Sequence, residues 1–228
     1  FLDKYSQNFE GYGNERYYVN VPREIMFGQG LLDAGKAVRG PGLFNARRLT
    51  DADYSNTYSK AQALYKVDTQ GYNSIWSNDI AEKRVAKYSS AYLDFYKAFY
   101  GGLYAQGRYG AGLSYADGEA CGQTYYDSLN TAIENNILYN LPVGLLKTGN
   151  GTLALTGNNS YQGDSVVVGG TLQIDGSVSS NVYSEINGTV AGSGSIGGNL
   201  INRGTTQAGS WGTSGNLSIQ GDLLSSRI

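Results

Sequence analysis

From about residue 144 onward, short apolar pairs recur at a regular interval. TLALTG begins at Thr152 and TLQIDG at Thr171, 19 residues later; NLSIQG begins at Asn216, a further 45 residues on. Each copy holds two aliphatic side chains separated by one residue: Leu153 and Leu155, Leu172 and Ile174, Leu217 and Ile219. That alternation is the period of a half-buried strand. A glycine follows each copy, at Gly157, Gly176 and Gly221, where the chain has to turn sharply. SVVVGG from Ser165 and GSIGGNL from Gly194 read as further short strands. A strand-turn-strand unit repeated this way predicts a parallel β-helix, in which each rung buries its aliphatics only by stacking on its neighbours. The stretch makes about four rungs, roughly 19 Å at about 4.8 Å per strand spacing. A small glycine-rich sandwich is the alternative for the same pattern. The last residues, Leu223 to Ile228, would then form an open solenoid edge, and a natural chain is expected to continue past it.

The middle of the chain has a different period. Val85, Tyr88, Tyr92, Phe95 and Phe99 are spaced 3, 4, 3 and 4, a helical stripe that Gly101 and Gly102 should stop. A second helix is expected from about Thr124 to Tyr139, with Tyr125, Leu129, Ile133 and Ile137 at every fourth position and Pro142 beyond its end. Together they predict a helical hairpin, with the aromatic stripe as its packing seam. Between them, Tyr100 to Tyr126 holds six tyrosines and seven glycines. Tyrosine gives a large amphipathic contact at low entropy cost and glycine lets a loop adapt, which makes Tyr104, Tyr109 and Tyr115 candidate partner-binding residues. A connector with no partner would look the same. Cys121 lies in this stretch and reads as a free, unreactive thiol, with pairing to a thiol elsewhere as the alternative.

Composition narrows the chemistry. The 228 residues carry 17 Lys and Arg against 19 Asp and Glu, a net charge of −2, so no nucleic-acid partner is expected. The absence of histidine excludes a Ser-His-Asp or Cys-His triad, and any His-ligated metal, within this chain. One cysteine makes no internal disulfide. Glycine at 33 and tyrosine at 20 point to an extracellular or repetitive structural protein. No run of 18 apolar residues is present, and the opening Phe1-Leu2-Asp3-Lys4 is neither a signal peptide nor a natural start, so a piece of a longer polypeptide is expected. Near Leu145 the composition shifts: 29 of the 36 charged residues, 18 of the 20 tyrosines and all three prolines precede it. A mixed first part and an all-β second part follow.

Other constellations carry less. Asp51 and Asp53 in TDAD are oxygen ligands of the calcium-binding type, but a solvated turn explains them better. The repeat region offers only Asp164, Asp175, Glu185 and Asp222 as acids, too few for a paired-carboxylate glycosidase. GSGSIGG lacks the lysine and following helix of a phosphate loop.

Near the N-terminus, FGQGLLDAGKAVRGPG runs from Phe27 to Gly42. Gly28 and Gly30 allow a tight approach, Asp33 is placed to N-cap a short helix from Ala34 to Val38, and Gly40 and Pro41 end it. The string resembles the closing segment of the subtilisin-like protease domain in bacterial serine protease autotransporters. Gln29 departs mildly from that family, which often has an aromatic there. VDTQGYNSIWSNDI, Val67 to Ile80, resembles the stretch after that domain. GLLKTGNGTLALTGNNSYQGDSVVVGGTLQIDG, Gly144 to Gly176, resembles the autotransporter-associated β-strand repeat. Thirteen positions match that skeleton: Lys147, Gly149, Gly151, Thr152, Leu153, Gly157, Asn159, Tyr161, Gly163, Gly169, Gly170, Thr171 and Leu172.

The resemblance implies a mainly β chain: a right-handed parallel β-helix preceded by the C-terminal edge of an α/β subtilisin-like domain, with an inserted helical hairpin. The expected divisions are residues 1–42 for the end of the protease domain, 43–80 for a connector, 81–143 for the helical, Tyr/Gly-rich insertion and 144–228 for the start of the β-helix passenger. It implies a secreted or cell-surface serine endopeptidase of Gram-negative bacteria, whose catalytic Asp, His and Ser lie upstream of Phe1. No catalytic, cofactor-binding or metal-binding residue is assigned here. GTSG at Gly212 to Gly215 only echoes the family's nucleophile string and reads as a turn. Gly28, Gly30 and Asp33 are structural motif residues. No cofactor is expected, with calcium a candidate only in the missing protease part. The implied partners are the upstream catalytic segment, protein substrates and a C-terminal outer-membrane β-barrel of the same precursor. The alternative is a non-enzymatic, adhesin-like β-helix that binds a host surface through the Tyr/Gly-rich insertion.

Overall fold

The computed structural model describes residues 5–10, 16–21, 38–210 and 212–226. The chain divides into two units, one of Phe1–Leu32 with Ala86–Asn136, the other of Asp33–Val85 with Ile137–Ile228.

The second unit is a parallel β-solenoid. Its ladder begins inside the stretch read as a connector: Gln62–Asp68 and Ser74–Trp76 form a first, two-stranded rung. Four complete three-stranded rungs follow. They are Val143–Thr148, Thr152–Leu155 and Asn158–Asn159; Ser165–Val167, Gly170–Ile174 and Ser177–Val178; Val182–Ser184, Gly188–Gly192 and Ser195–Ile196; and Leu200–Asn202, Thr205–Ser210 and Ser218–Ile219. Leu223–Ser225 opens the next. Corresponding strands stack in register into three sheets. Two antiparallel pairings depart from the pattern: Tyr54–Ser55 on Gln62 and Ala63, and Thr213–Ser214 folded back on Gly209 and Ser210.

Strand alternation sends every second residue inward, where the rungs stack like on like. Leu145, Val182 and Leu200 share one column with Ser165. Leu153, Leu172 and Val190 form a second column, and Val178 and Ile196 a third. All of these side chains are buried. Each large aliphatic contributes about 1.5–3 kcal/mol on burial, and it does so only through adjacent rungs.

The structure corrects one register. NLSIQG does not stack on TLALTG and TLQIDG. The second sheet continues from Thr171 to Thr189 to Thr205, through GTVAG and TTQAGS, whereas Ile219 pairs with Ile196 in the third sheet. Val190 is the last aliphatic of that inward column, and Thr206 follows it. The hydrophobic signal fades there while the backbone ladder continues.

Before the ladder, Leu43–Asn45 pairs in parallel with Ala81–Lys83. Gly40 adopts φ +82°, and a Cβ there would lie 2.4 Å from Cγ of Trp76, so only glycine fits beneath that indole. The solenoid chain breaks off after Val85 and resumes at Ile137, with the Val85 N–H donating to the Tyr139 carbonyl at 3.0 Å.

In the first unit, Tyr5–Glu10 and Arg16–Val21 form an antiparallel hairpin. Helix α1 spans Ser90–Ala105 and helix α2 spans Tyr115–Asn135. The helical hairpin of the sequence reading is present, with different bounds. Gly101 and Gly102 do not stop the first helix; it runs through both to Ala105, with Gln106 as its C-cap and Gly107 beyond it at φ +67°. The second helix starts nine residues before Thr124, because Ser114 and Asp117 make a capping box: the Ser114 N–H donates to Asp117 Oδ2 at 2.7 Å and the Asp117 N–H to Ser114 Oγ at 3.2 Å. It also stops short of Tyr139; Ile137–Asn140 forms a separate single turn, α3, in the solenoid unit.

The glycines that look like loop residues are helix-packing residues. A Cβ at Gly118 would lie 2.4 Å from the Tyr100 carbonyl oxygen, and one at Gly122 would lie 2.5 Å from that of Tyr96. The two helices run antiparallel, Lys87 pairing with Glu134 at one end and Gly101 meeting the Tyr115 ring at the other.

Candidate functional site

The three tyrosines singled out from the sequence fall at one end of the helical hairpin. Tyr104 is in the last turn of α1, Tyr109 is in the link and Tyr115 is the first residue of α2. The structure brings Tyr104 and Tyr109 together, with ring centroids 4.9 Å apart and planes at 34°. Tyr115 is held against Gly101 instead. Most of the Tyr100 to Tyr126 stretch is therefore helix, and the binding-loop reading shrinks to the link between α1 and α2.

The aromatic stripe is a seam of ring-on-ring contacts. Tyr88 meets Tyr92 at 4.7 Å, Tyr96 meets Tyr125 at 4.8 Å, and Phe95 stacks on Phe99 at 5.8 Å. The Tyr126 hydroxyl donates to the Tyr88 carbonyl at 2.7 Å, and Asn130 Oδ1 accepts from the Tyr88 N–H at 2.8 Å. These rings stay half-buried in the main, so the seam leaves aromatic surface and phenolic tips toward solvent. Burial, then the neighbouring Tyr125, holds the Tyr96 and Tyr100 phenols above the usual range. Tyr104 is raised as well, first by its hydrogen bond with Cys121. Two bonds from Ser114, backbone first, hold the Asp117 carboxyl below its ordinary range. Gly28, Gly30 and Asp33 lie outside the described residues.

The second cluster was not singled out as a site by sequence reasoning. Asp164 is fully buried at the entry to the third solenoid rung and accepts from four side chains or backbone groups. Ser59 donates through its N–H at 3.1 Å and its hydroxyl at 2.6 Å, Gln62 Nε2 donates at 2.9 Å, and Asn181 Nδ2 donates at 3.3 Å to the other oxygen. Around it, Lys60 Nζ reaches the Gln162 carbonyl at 2.9 Å, and Tyr58 lies against Tyr183 at 4.9 Å. Segment 54–61 is thereby strapped across the outer face of the first sheet. Val166, which alternation turns outward there, is fully buried.

Two more residues of the repeat skeleton do similar work. Tyr161 is fully buried, tilted against Phe44 at 5.0 Å, and shares a 2.7 Å hydrogen bond with Ser165; burial raises its phenol far above the usual range. Lys147 is buried with all three ammonium protons used, on the carbonyls of Thr148, Gly149 and Gly169 at 2.8–2.9 Å. Desolvation lowers its pKa, and the charge of Asp68 opposes that shift. Glu82 Oε2 accepts from the N–H groups of Val143 and Gln162, and Asn159 Oδ1 from that of Ile80. Asn159, Tyr161 and Asp164 thus meet residues 44–82, whereas Lys147 ties the second rung to the third. The visible signal was that Lys147 and Asp164 are the two charged residues of the stretch 145–174.

Neither cluster holds a catalytic triad, since the chain has no histidine. Among the described residues no three His, Cys, Asp or Glu side chains gather to hold a metal ion. Thr213–Ser214 of the GTSG string is committed to its antiparallel turn. Asp53 accepts from the Thr50 N–H at 2.8 Å, which makes TDAD a capped turn. The contacts of both clusters are packing contacts within the chain.

Comparisons with known proteins agree with the solenoid reading. Residues 145–174 match the family model described as passenger-associated-transport-repeat. Two extracellular serine proteases of Serratia marcescens are similar to the chain, 63% and 59% identical over 54 residues, which is 24% of this chain and 5% of each relative. The chain therefore spans a small part of the length of the relatives it matches. No solved structure matches it. The second and third rungs of the parallel solenoid thus carry a passenger-associated-transport-repeat, and the chain is similar over part of its length to extracellular serine proteases.

Proposed function

We propose that this chain is the C-terminal portion of a secreted or cell-surface subtilisin-like serine endopeptidase, completing the protease domain and carrying it on a β-solenoid stalk. The observation that carries the reading is the fastening of residues 44–82 onto the passenger repeat through Asp164, Tyr161, Glu82 and Asn159. A stalk that must hold an upstream domain needs such a junction. The name and extracellular setting of the Serratia relatives support it. The chemistry would be acyl transfer by a serine nucleophile, with a histidine base and an oxyanion hole, all supplied by residues upstream. Partners would be that catalytic segment, protein substrates and an outer-membrane β-barrel of the same precursor. No cofactor is assigned to this chain, and calcium, if used, would belong to the protease part.

The test is to read the parent frame upstream of Phe1 and to express it with this chain. A Ser-His-Asp set and endopeptidase activity lost on serine replacement are expected. Further solenoid repeats upstream, with no such set, would overturn the reading.

The half-exposed aromatic seam favours a second reading, an adhesin-like passenger that binds a host surface through residues 81–143. Replacing Tyr104, Tyr109 and Tyr115 together with alanine should then abolish surface binding; unchanged binding would count against it. The two readings combine if the insertion recruits protein substrates.

A further inference from the structure

The link between α1 and α2 folds one tyrosine onto another. Helix α1 ends in Tyr104 and Ala105, and Gly107 and Gly110 turn the chain back with φ of +67° and +129°. Tyr109, five residues after Tyr104, therefore lands on its ring, with centroids 4.9 Å apart and planes at 34°. The other tyrosine pairs described meet more steeply, at 43–74°. Tyr109 is 56% exposed, so a solution oxidant can reach it. The two glycines give the link the freedom to close from ring contact to a bond. The packed pairs in the helical seam lack that freedom.

We propose that Tyr104 and Tyr109 are an oxidative coupling site, joined ring carbon to ring carbon as an intramolecular dityrosine. Each phenol gives up one electron and one proton. The spin density spreads to the ring carbons beside the hydroxyl, and two of these carbons bond. The two displaced ring hydrogens return to the phenol oxygens, so the chain loses two hydrogen atoms in all. The co-reactant is a peroxide used by a haem peroxidase, and the two hydrogens reduce one peroxide to two waters. An extracellular passenger meets such oxidants without the reducing pool of the cytosol. The product is a covalent staple across the helical hairpin's end, and it encloses the exposed Arg108.

The experiment treats the purified chain with hydrogen peroxide and a haem peroxidase, then digests it with trypsin. The expected result is monomeric protein lighter by two hydrogens, with dityrosine fluorescence, and with the peptides on either side of Arg108 still joined after cleavage. Tyr109→Phe should lose the joined peptide and keep its circular dichroism. Cys121→Ser should retain the joined peptide, although the Cys121 thiol neighbours the Tyr104 phenol. Cross-links that map to other tyrosines, to Cys121 or between chains would overturn the proposal. So would full fluorescence in Tyr109→Phe.

Discussion

Ser59 and Asp164 are 105 residues apart in sequence and joined by three hydrogen bonds, the shortest 2.6 Å between the serine hydroxyl and Asp164 Oδ2. This contact holds the strap of residues 54–61 down on the solenoid. Asp164→Ala leaves the donors of Ser59, Gln62 and Asn181 without their acceptor. A buried donor stripped of its partner costs about 1–3 kcal/mol. The urea midpoint should fall accordingly, and trypsin should gain access to Lys60. Ser59→Ala should open the Lys60 site with a smaller loss of stability. Wild-type resistance at Lys60 in both variants would show that the strap is held by something else.

Lys147 places a buried charge whose three hydrogen bonds all go to backbone carbonyls. Lys147→Met keeps the stem and removes three donors. The loss is expected at about 1–3 kcal/mol, read as a shifted denaturation midpoint. Because burial lowers this lysine's pKa, the unfolded chain holds its proton more tightly than the folded one. Stability from this group therefore rises with pH between the folded pKa and 10.5. The rise should vanish in the methionine variant.

The helical hairpin should be intolerant of side chains at its crossing. Gly118→Ala or Gly122→Ala drives a methyl group to within 2.4–2.5 Å of a backbone oxygen of α1. The helices have to separate, at a cost of about 1–3 kcal/mol. Near-ultraviolet circular dichroism of the tyrosines should weaken, while exchange protection of the solenoid core stays as it was.

The cap of α2 carries a pH signature. Asp117 is held below its ordinary pKa by Ser114, so its contribution is present above the unfolded value of 3.8 and is lost as pH falls through the lower folded value. Helical content should show a transition in that window, and Asp117→Asn should remove it.

Leu172→Ala removes a fully buried side chain from the middle rung. It should cost about 2–5 kcal/mol. In a ladder where each rung touches only its neighbours, the loss should show as faster amide exchange in the adjacent rungs first.

The solenoid was legible because Leu153, Leu155, Leu172 and Ile174 repeat with a strand period on consecutive rungs. It became illegible where Val190 gave way to Thr206, since the backbone ladder needs no aliphatic signal to continue. The helices were legible from Tyr88, Tyr92, Phe95 and Phe99, but their ends were not. Gly101 reads locally as a helix stop and Gly118 and Gly122 as loop residues, and only the partner helix shows why they are there. Tyr104, Tyr109 and Tyr115 stood out in the sequence as contact-type residues, but nothing local showed that the rings of Tyr104 and Tyr109 meet or that Tyr115 packs on Gly101. Asp164 stayed hidden because its partners, Ser59 and Gln62, are more than a hundred residues away.

The Val85 to Tyr139 hydrogen bond has a consequence for how such chains vary. It pins together the two points between which residues 86–136 leave the ladder. Closing a flexible loop between fixed ends costs only about 0.6 kcal/mol more for each doubling of its length. The splice point is therefore nearly indifferent to the length of what it carries, and relatives with the same solenoid should differ most in size at this position.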